Sequence, residues 1–70
     1  MDPHANLSEQ ATLVDATGAY DKRRRAELRR ALQEWLCSGG FQPTWKAFPD
    51  ATKAYRKWVR ESAKFADLWR

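Results

Sequence analysis

A single cysteine, a single histidine and no long apolar run set the first limits on this 70-residue chain. Cys37 alone cannot close an internal disulfide or supply a multi-cysteine zinc site, and a lone cysteine fits a reducing, intracellular setting. His4 falls in an N-terminal stretch without periodicity, and no histidine stands near Cys37 in sequence to activate it as a nucleophile. "SGGF", residues 38–41, lacks the lysine and the spacing of a phosphate-binding loop. The carboxylates are scattered among lysines and arginines. Nothing here composes a catalytic constellation, so the expectation is a non-enzyme without cofactor or metal. No apolar stretch approaches the ~18 residues that a membrane span needs. The opening "MDPHANLSEQ" has neither the basic nor the apolar region of a secretory signal, so the expected location is cytoplasmic, with no membrane partner.

Large rings and positive charge are what the chain does have. A domain this small buries only about 60% of its unfolded surface. Four Trp, two Tyr and three Phe offset that shortage, since each buried aromatic removes roughly 150–250 Å² from water. The net charge of +4 and pI near 9.6 point to an anionic partner, nucleic acid first.

The periodicity is helical wherever it is clear, and no strand pattern occurs. Residues 1–6 show no period and read as a mobile start. "NLSEQATLVDATG" allows a short helix capped by Asn6 or Ser8, with Leu7, Ala11 and Val14 as a thin stripe and Gly18 as its stop. "YDKRRRAELRRALQEWLCSGG" is the strongest helix. Its Leu28, Ala31, Leu32, Trp35 and Leu36 share a face, with Asp21 as the expected cap and Gly39-Gly40 as a left-handed end. Cys37, in its last turn, reads as a small buried hydrophobe. "FQPTWKAF" allows a short helix from Pro43 to Phe48. Pro49 then interrupts, Asp50 is the expected cap, and a register of Ala51, Tyr55, Trp58, Val59, Ser62, Phe65, Ala66 and Trp69 runs on from there. The expectation is a small all-α domain of three to four helices with an aromatic-rich core and a long C-terminal helix. Residues 1–20 form its N-terminal tail with a possible short helix, and residues 21–70 form the helical domain.

The charges divide into two groups. In "KRRRAELRRALQE", Arg23 with Glu27 and Arg30 with Glu34 have i, i+4 spacing, which leaves Lys22, Arg25 and Arg29 unpaired on a neighbouring stripe. These three stand near a helix N-terminus, where positive charge opposes the macrodipole, and that disadvantage favours a role in phosphate contact. In "DATKAYRKWVRES" and just beyond it, Lys53, Arg56, Lys57, Arg60 and Lys64 line the side opposite the aromatic register. A face that merely solubilises a domain mixes its signs more evenly. Bases can stack on exposed aromatics, but Tyr55, Trp58, Phe65 and Trp69 fall on the packed face and read as core. Trp45, in a short proline-bounded segment, either plugs the gap between helices or stands exposed as an anchor for a partner protein.

The stretch "LQEWLCSGGFQPTWKAFPDATKAYRKWVRESAKFADLW" resembles the helix-turn-helix of phage terminase small subunits and related phage DNA-binding proteins. "YRKW" at Tyr55–Trp58 and "KFADLW" at Lys64–Trp69 carry the likeness, which covers roughly residues 31–70. The resemblance implies a helix-turn-helix domain that binds double-stranded DNA in a bacterial host cell. Thr52, Lys53, Arg56 and Lys57 would then approach base edges and phosphates, and Arg60, Lys64, Lys22, Arg25 and Arg29 would neutralise the backbone. Neutralising about six phosphates gives a log–log salt slope near roughly −5. A module this small needs a homo-oligomer for specificity. A second reading is a phage-encoded helical interaction protein that inhibits or adapts a host protein, docking its basic face on an acidic surface. Trp45, and Pro49-Asp50 where the family's turn usually holds Gly and a small apolar residue, favour that alternative.

Overall fold

The computed structural model describes residues 1–62 and is all-α. Its elements are α1 (Pro3–Thr12), α2 (Ala19–Cys37), a single 3-10 turn (Trp45–Ala47) and α3 (Pro49–Ser62). The expected continuation of the last helix through Lys64, Phe65 and Trp69 lies outside the described residues.

The chain is ordered into helix much earlier than its periodicity suggests. Asp2, and neither Asn6 nor Ser8, caps α1: its Oδ1 accepts from the backbone N–H groups of His4 at 2.9 Å and Ala5 at 3.2 Å. Pro3 then opens the helix, where its missing N–H costs nothing. Residues 1–6, expected to be mobile, therefore hold a capped helix start. Pro3, Asn6, Leu7 and Gln10 form the buried side of α1, which packs against both α2 and α3. Two of those four side chains are amides, so no apolar stripe announces the face.

α2 starts at Ala19 with Gly18 as an N-cap that makes no side-chain bond; Asp21, the expected cap, lies in the first turn instead. There its charge still suits the helix dipole. Leu28 and Leu32 are the buried residues of α2. The half-buried Arg25, Arg29 and Leu36 extend their stripe, whereas Ala31 is exposed. The inward face is thus rotated toward the arginines relative to the one that apolar residues alone define. Cys37 is exposed rather than buried, and receives a weak hydrogen bond from Gln33 Nε2 at 3.5 Å.

The end of α2 is the left-handed stop expected from Gly39-Gly40. Gly39 has φ of +89°. Its N–H donates to the Leu36 carbonyl and that of Gly40 donates to the Trp35 carbonyl, the paired bonds of a Schellman motif. Of the helix expected over Pro43–Phe48, only the turn Trp45–Ala47 forms. Pro49 accounts for its end: it disfavours helical geometry at Phe48, which bounds the turn, and is itself well suited to begin a helix. α3 accordingly starts at Pro49, with Thr52 N–H donating to the Phe48 carbonyl and Asp50 inside the first turn rather than capping it.

The buried apolar core of the described residues is Leu7, Leu28, Leu32, Ala51 and Tyr55. One aromatic ring is therefore fully inside, with the half-buried Trp45 and Trp58 beside it, while the half-buried Phe48 lies against His4 of α1. No helix of the described residues is long and apolar enough to cross a membrane.

Candidate nucleic-acid interface

α3 keeps its two registers apart. Ala51, Thr52 and Tyr55 are buried and Trp58 and Val59 half-buried, while Lys53, Arg56, Lys57 and Arg60 are all exposed. Among the described residues both ion pairs centre on Arg24, which reaches Glu9 at 2.7 Å and Glu27 at 3.6 Å. The α3 cations thus have no carboxylate partner among these residues. Neither the expected Arg23–Glu27 pair nor the Arg30–Glu34 pair forms among these residues; Glu27 turns instead to Arg24, one residue closer than Arg23.

Three of the sequence candidates sit elsewhere than on an open face. Thr52 is 7% exposed and donates its hydroxyl to the Trp45 carbonyl at 2.9 Å, so it ties the 3-10 turn to α3. Arg25 Nη1 donates to the carbonyls of Leu13 at 2.7 Å and Val14 at 3.1 Å, and lies 3.4 Å from that of Ala16. It gathers the acceptors left at the end of α1 and in the following link. Arg29 is half-buried, and its Nε meets no acceptor among the described residues. Burial lowers its pKa, Arg25 beside it adds to that, and Glu61 opposes both. Lys22 remains exposed. Lys64 lies outside the described residues. The structure thus brings Lys53, Arg56, Lys57 and Arg60 together as exposed charge on α3, while Thr52 is buried on the same helix and Arg25 and Arg29 are half-buried on α2.

Beside that row, an open groove of about 1220 Å³ runs between α2, the 3-10 turn and α3. Leu36, Trp45, Tyr55 and Val59 give it apolar walls; Lys46, Lys53, Arg56 and Arg60 give it charge of one sign. The Trp45 and Tyr55 rings stack with centroids 5.7 Å apart and planes 26° from parallel. The Arg56 guanidinium carbon stands 5.7 Å from the Trp45 ring centroid, a distance at which the ring's quadrupole attracts the cation. Trp45 Nε1 donates to Gln42 Oε1 at 2.8 Å, and Trp58 extends the cluster at 6.0 Å from Tyr55. The Tyr55 hydroxyl donates to Gln33 Oε1 at 2.7 Å, joining α3 to α2. Burial pushes its pKa up to about 12, with the charge of Cys37 adding to the effect.

Trp45 is half-buried against Tyr55 and also lines the open groove. Lys46 and Leu36 were missed as groove residues. Lys46 directly follows Trp45, so an open Trp45 in so short a turn was a signal for it. Leu36 gave none, since helix periodicity places it in the core.

Among the described residues, no group of three potential metal-ligating side chains gathers. The site is one of surface charge and aromatic walls, and it defines the protein as a small all-α domain with a cationic helix face. Comparison with protein families, characterised proteins and solved structures finds no match for the chain.

Proposed function

We propose that this protein binds double-stranded DNA by laying the outer face of α3 against the major groove. The observation that carries this reading is the row Lys53, Arg56, Lys57 and Arg60: all four are exposed, and none is paired among the described residues. A 14-residue helix is about 21 Å long at 1.5 Å per residue, enough to lie across a groove about 12 Å wide. Arg56 and Lys57 stand at the centre of the row, Lys53 and Arg60 at its ends. Lys22 supplies a further exposed cation from the start of α2. The likeness of residues 31–70 to phage helix-turn-helix proteins supports the same assignment, with a homo-oligomer supplying the second half-site.

Fluorescence anisotropy with a labelled duplex, measured over a series of salt concentrations, tests the proposal. Four phosphate contacts give a log–log salt slope of about −4, and Arg56→Ala with Lys57→Ala flattens it by about 2 while weakening binding. Unchanged affinity in the double variant overturns the assignment. Light scattering after size exclusion, with and without duplex, reads the stoichiometry.

A further inference from the structure

The groove beside α3 has a chemistry that a phosphate backbone alone does not use. Its walls include Leu36 and Val59, which offer nothing to a phosphate, and the stacked pair Trp45 and Tyr55. At about 1220 Å³ it exceeds the roughly 300–1,000 Å³ of small-molecule pockets, and it is open to solvent rather than enclosed, which suits part of a macromolecule better than a small ligand. All four of its charged lining residues are cations, Lys46, Lys53, Arg56 and Arg60, and each is exposed.

We infer that this groove docks an acidic amphipathic helix of a protein partner. Apolar side chains at i, i+3, i+4 and i+7 of that helix enter between Leu36 on α2 and Val59 on α3, against the edge of Trp45. Glu and Asp on its flanks meet the four cations of the rim, which fix its register and speed its encounter. Charge complementarity selects this occupant over the chain's own remaining residues. Residues 63–70 contain Phe65, Leu68 and Trp69, but Lys64 and Arg70 outweigh Asp67, so they bring no surplus of negative charge. The same argument disfavours a second copy, since the whole chain has a net charge of +4. Docking here does not depend on DNA being the ligand of the outer face of α3, although Lys53, Arg56 and Arg60 belong to both surfaces.

The test uses the full chain and a designed probe: a helical peptide of about 16 residues with Leu at the four anchor positions and Glu on both flanks. Controls are the same peptide with Lys for Glu and a scrambled acidic peptide of equal composition. Titration calorimetry in the absence of DNA is expected to give one-to-one binding of the acidic helix with Kd in the ~1–100 μM range. The basic and scrambled peptides are expected to bind at least roughly tenfold more weakly. Amide shifts on peptide addition are expected to concentrate at Leu36, Trp45 and Val59. Val59→Ala, checked for folding by circular dichroism, weakens the peptide several-fold and leaves duplex binding as in the parent chain. No binding of the acidic helix overturns the inference, as does equal binding of all three peptides or a set of shifts on another face. Contacts from Phe65 or Trp69 to Trp45 in the free protein, read as nuclear Overhauser effects, would show the chain itself as the occupant and overturn it too. A chain that takes the peptide but no duplex refutes the DNA assignment alone.

Discussion

Asn6 of α1 donates its side-chain amide to the carbonyl of Leu28 in the middle of α2, at 3.0 Å, and its own oxygen accepts from Gln10 Nε2 at 2.7 Å. Both amides are buried, Asn6 at 8% exposure and Gln10 at 2%. The Leu28 carbonyl is therefore held by a side chain from outside its own helix. Asn6→Ala removes that bond and strands the Gln10 amide, which is expected to cost about 1–3 kcal/mol. Urea denaturation followed by circular dichroism measures it; a midpoint equal to that of the parent chain would refute the clamp. Asn6→Ala with Gln10→Leu is expected to recover part of the loss, because the stranded donor is then gone.

This clamp also explains what the sequence left hidden. The all-α class, the span of α2, its glycine stop and the separation of basic and aromatic registers on α3 are legible from spacing and turn chemistry. The role of α1 is not. It buries Asn6 and Gln10 beside a single leucine, and polar residues that are satisfied only by a distant backbone give no periodic signal. Arg25 turns inward for a related reason: a side chain's sequence neighbours show whether it lacks a local ion-pair partner, while the carbonyls nearest Arg25 lie at and beyond the end of α1. In the candidate site the α3 row was legible because it is one helix. The groove was not, because its walls come from three elements.

Gly40 is required by contact and Gly39 by conformation. A Cβ on Gly40 would collide with the Trp35 ring, whose Nε1 donates to the Phe41 carbonyl at 2.9 Å. The ring also meets Phe41 edge-on at 5.5 Å. Gly40→Ala must displace that indole, and overpacking of this kind costs typically about 1–3 kcal/mol. Gly39→Ala meets no atom but must hold φ of +89°, a cost of about 1–2 kcal/mol. Both variants lower the melting temperature. The tryptophan fluorescence of the folded state is expected to shift in Gly40→Ala and to stay unchanged in Gly39→Ala. Identical spectra for both would refute the distinction.

Arg25 and Lys22 are sequence neighbours on one stripe with different expected roles. Arg25→Ala takes this donor from the Val14 carbonyl and leaves the Leu13 carbonyl with the Ala16 N–H alone, and hydrogen bonds to a charged group contribute about 1.5–3 kcal/mol. For a domain this small, each 1 kcal/mol lowers the melting temperature by about 4–8 °C. Lys22→Ala, at an exposed position, is expected to leave the melting temperature in place and to reduce the DNA salt slope by at most about 1. If Arg25→Ala melts like the parent chain yet binds duplex more weakly, then Arg25 belongs to the binding face and the structural assignment fails.

Tyr55 gives the fold a defined alkaline limit. Its folded-state pKa is pushed up to about 12, above an unfolded value of about 10. The folded state therefore holds the proton more tightly than the unfolded state does. Stability from this group is fully present below about pH 10 and is lost as the pH rises through the folded value near 12. Ionisation also removes the hydroxyl proton that Tyr55 donates to Gln33. Tyr55→Phe is expected to be less stable at neutral pH by about 0.5–1.5 kcal/mol, the net worth of one hydrogen bond. Lysines and other groups titrate in the same alkaline range in both proteins, so the informative quantity is the difference between them. Urea midpoints of the parent chain and Tyr55→Phe, measured from neutral pH to about pH 11, are expected to converge as the parent loses its advantage. Parallel curves over that range would show that Tyr55 does not couple proton release to unfolding.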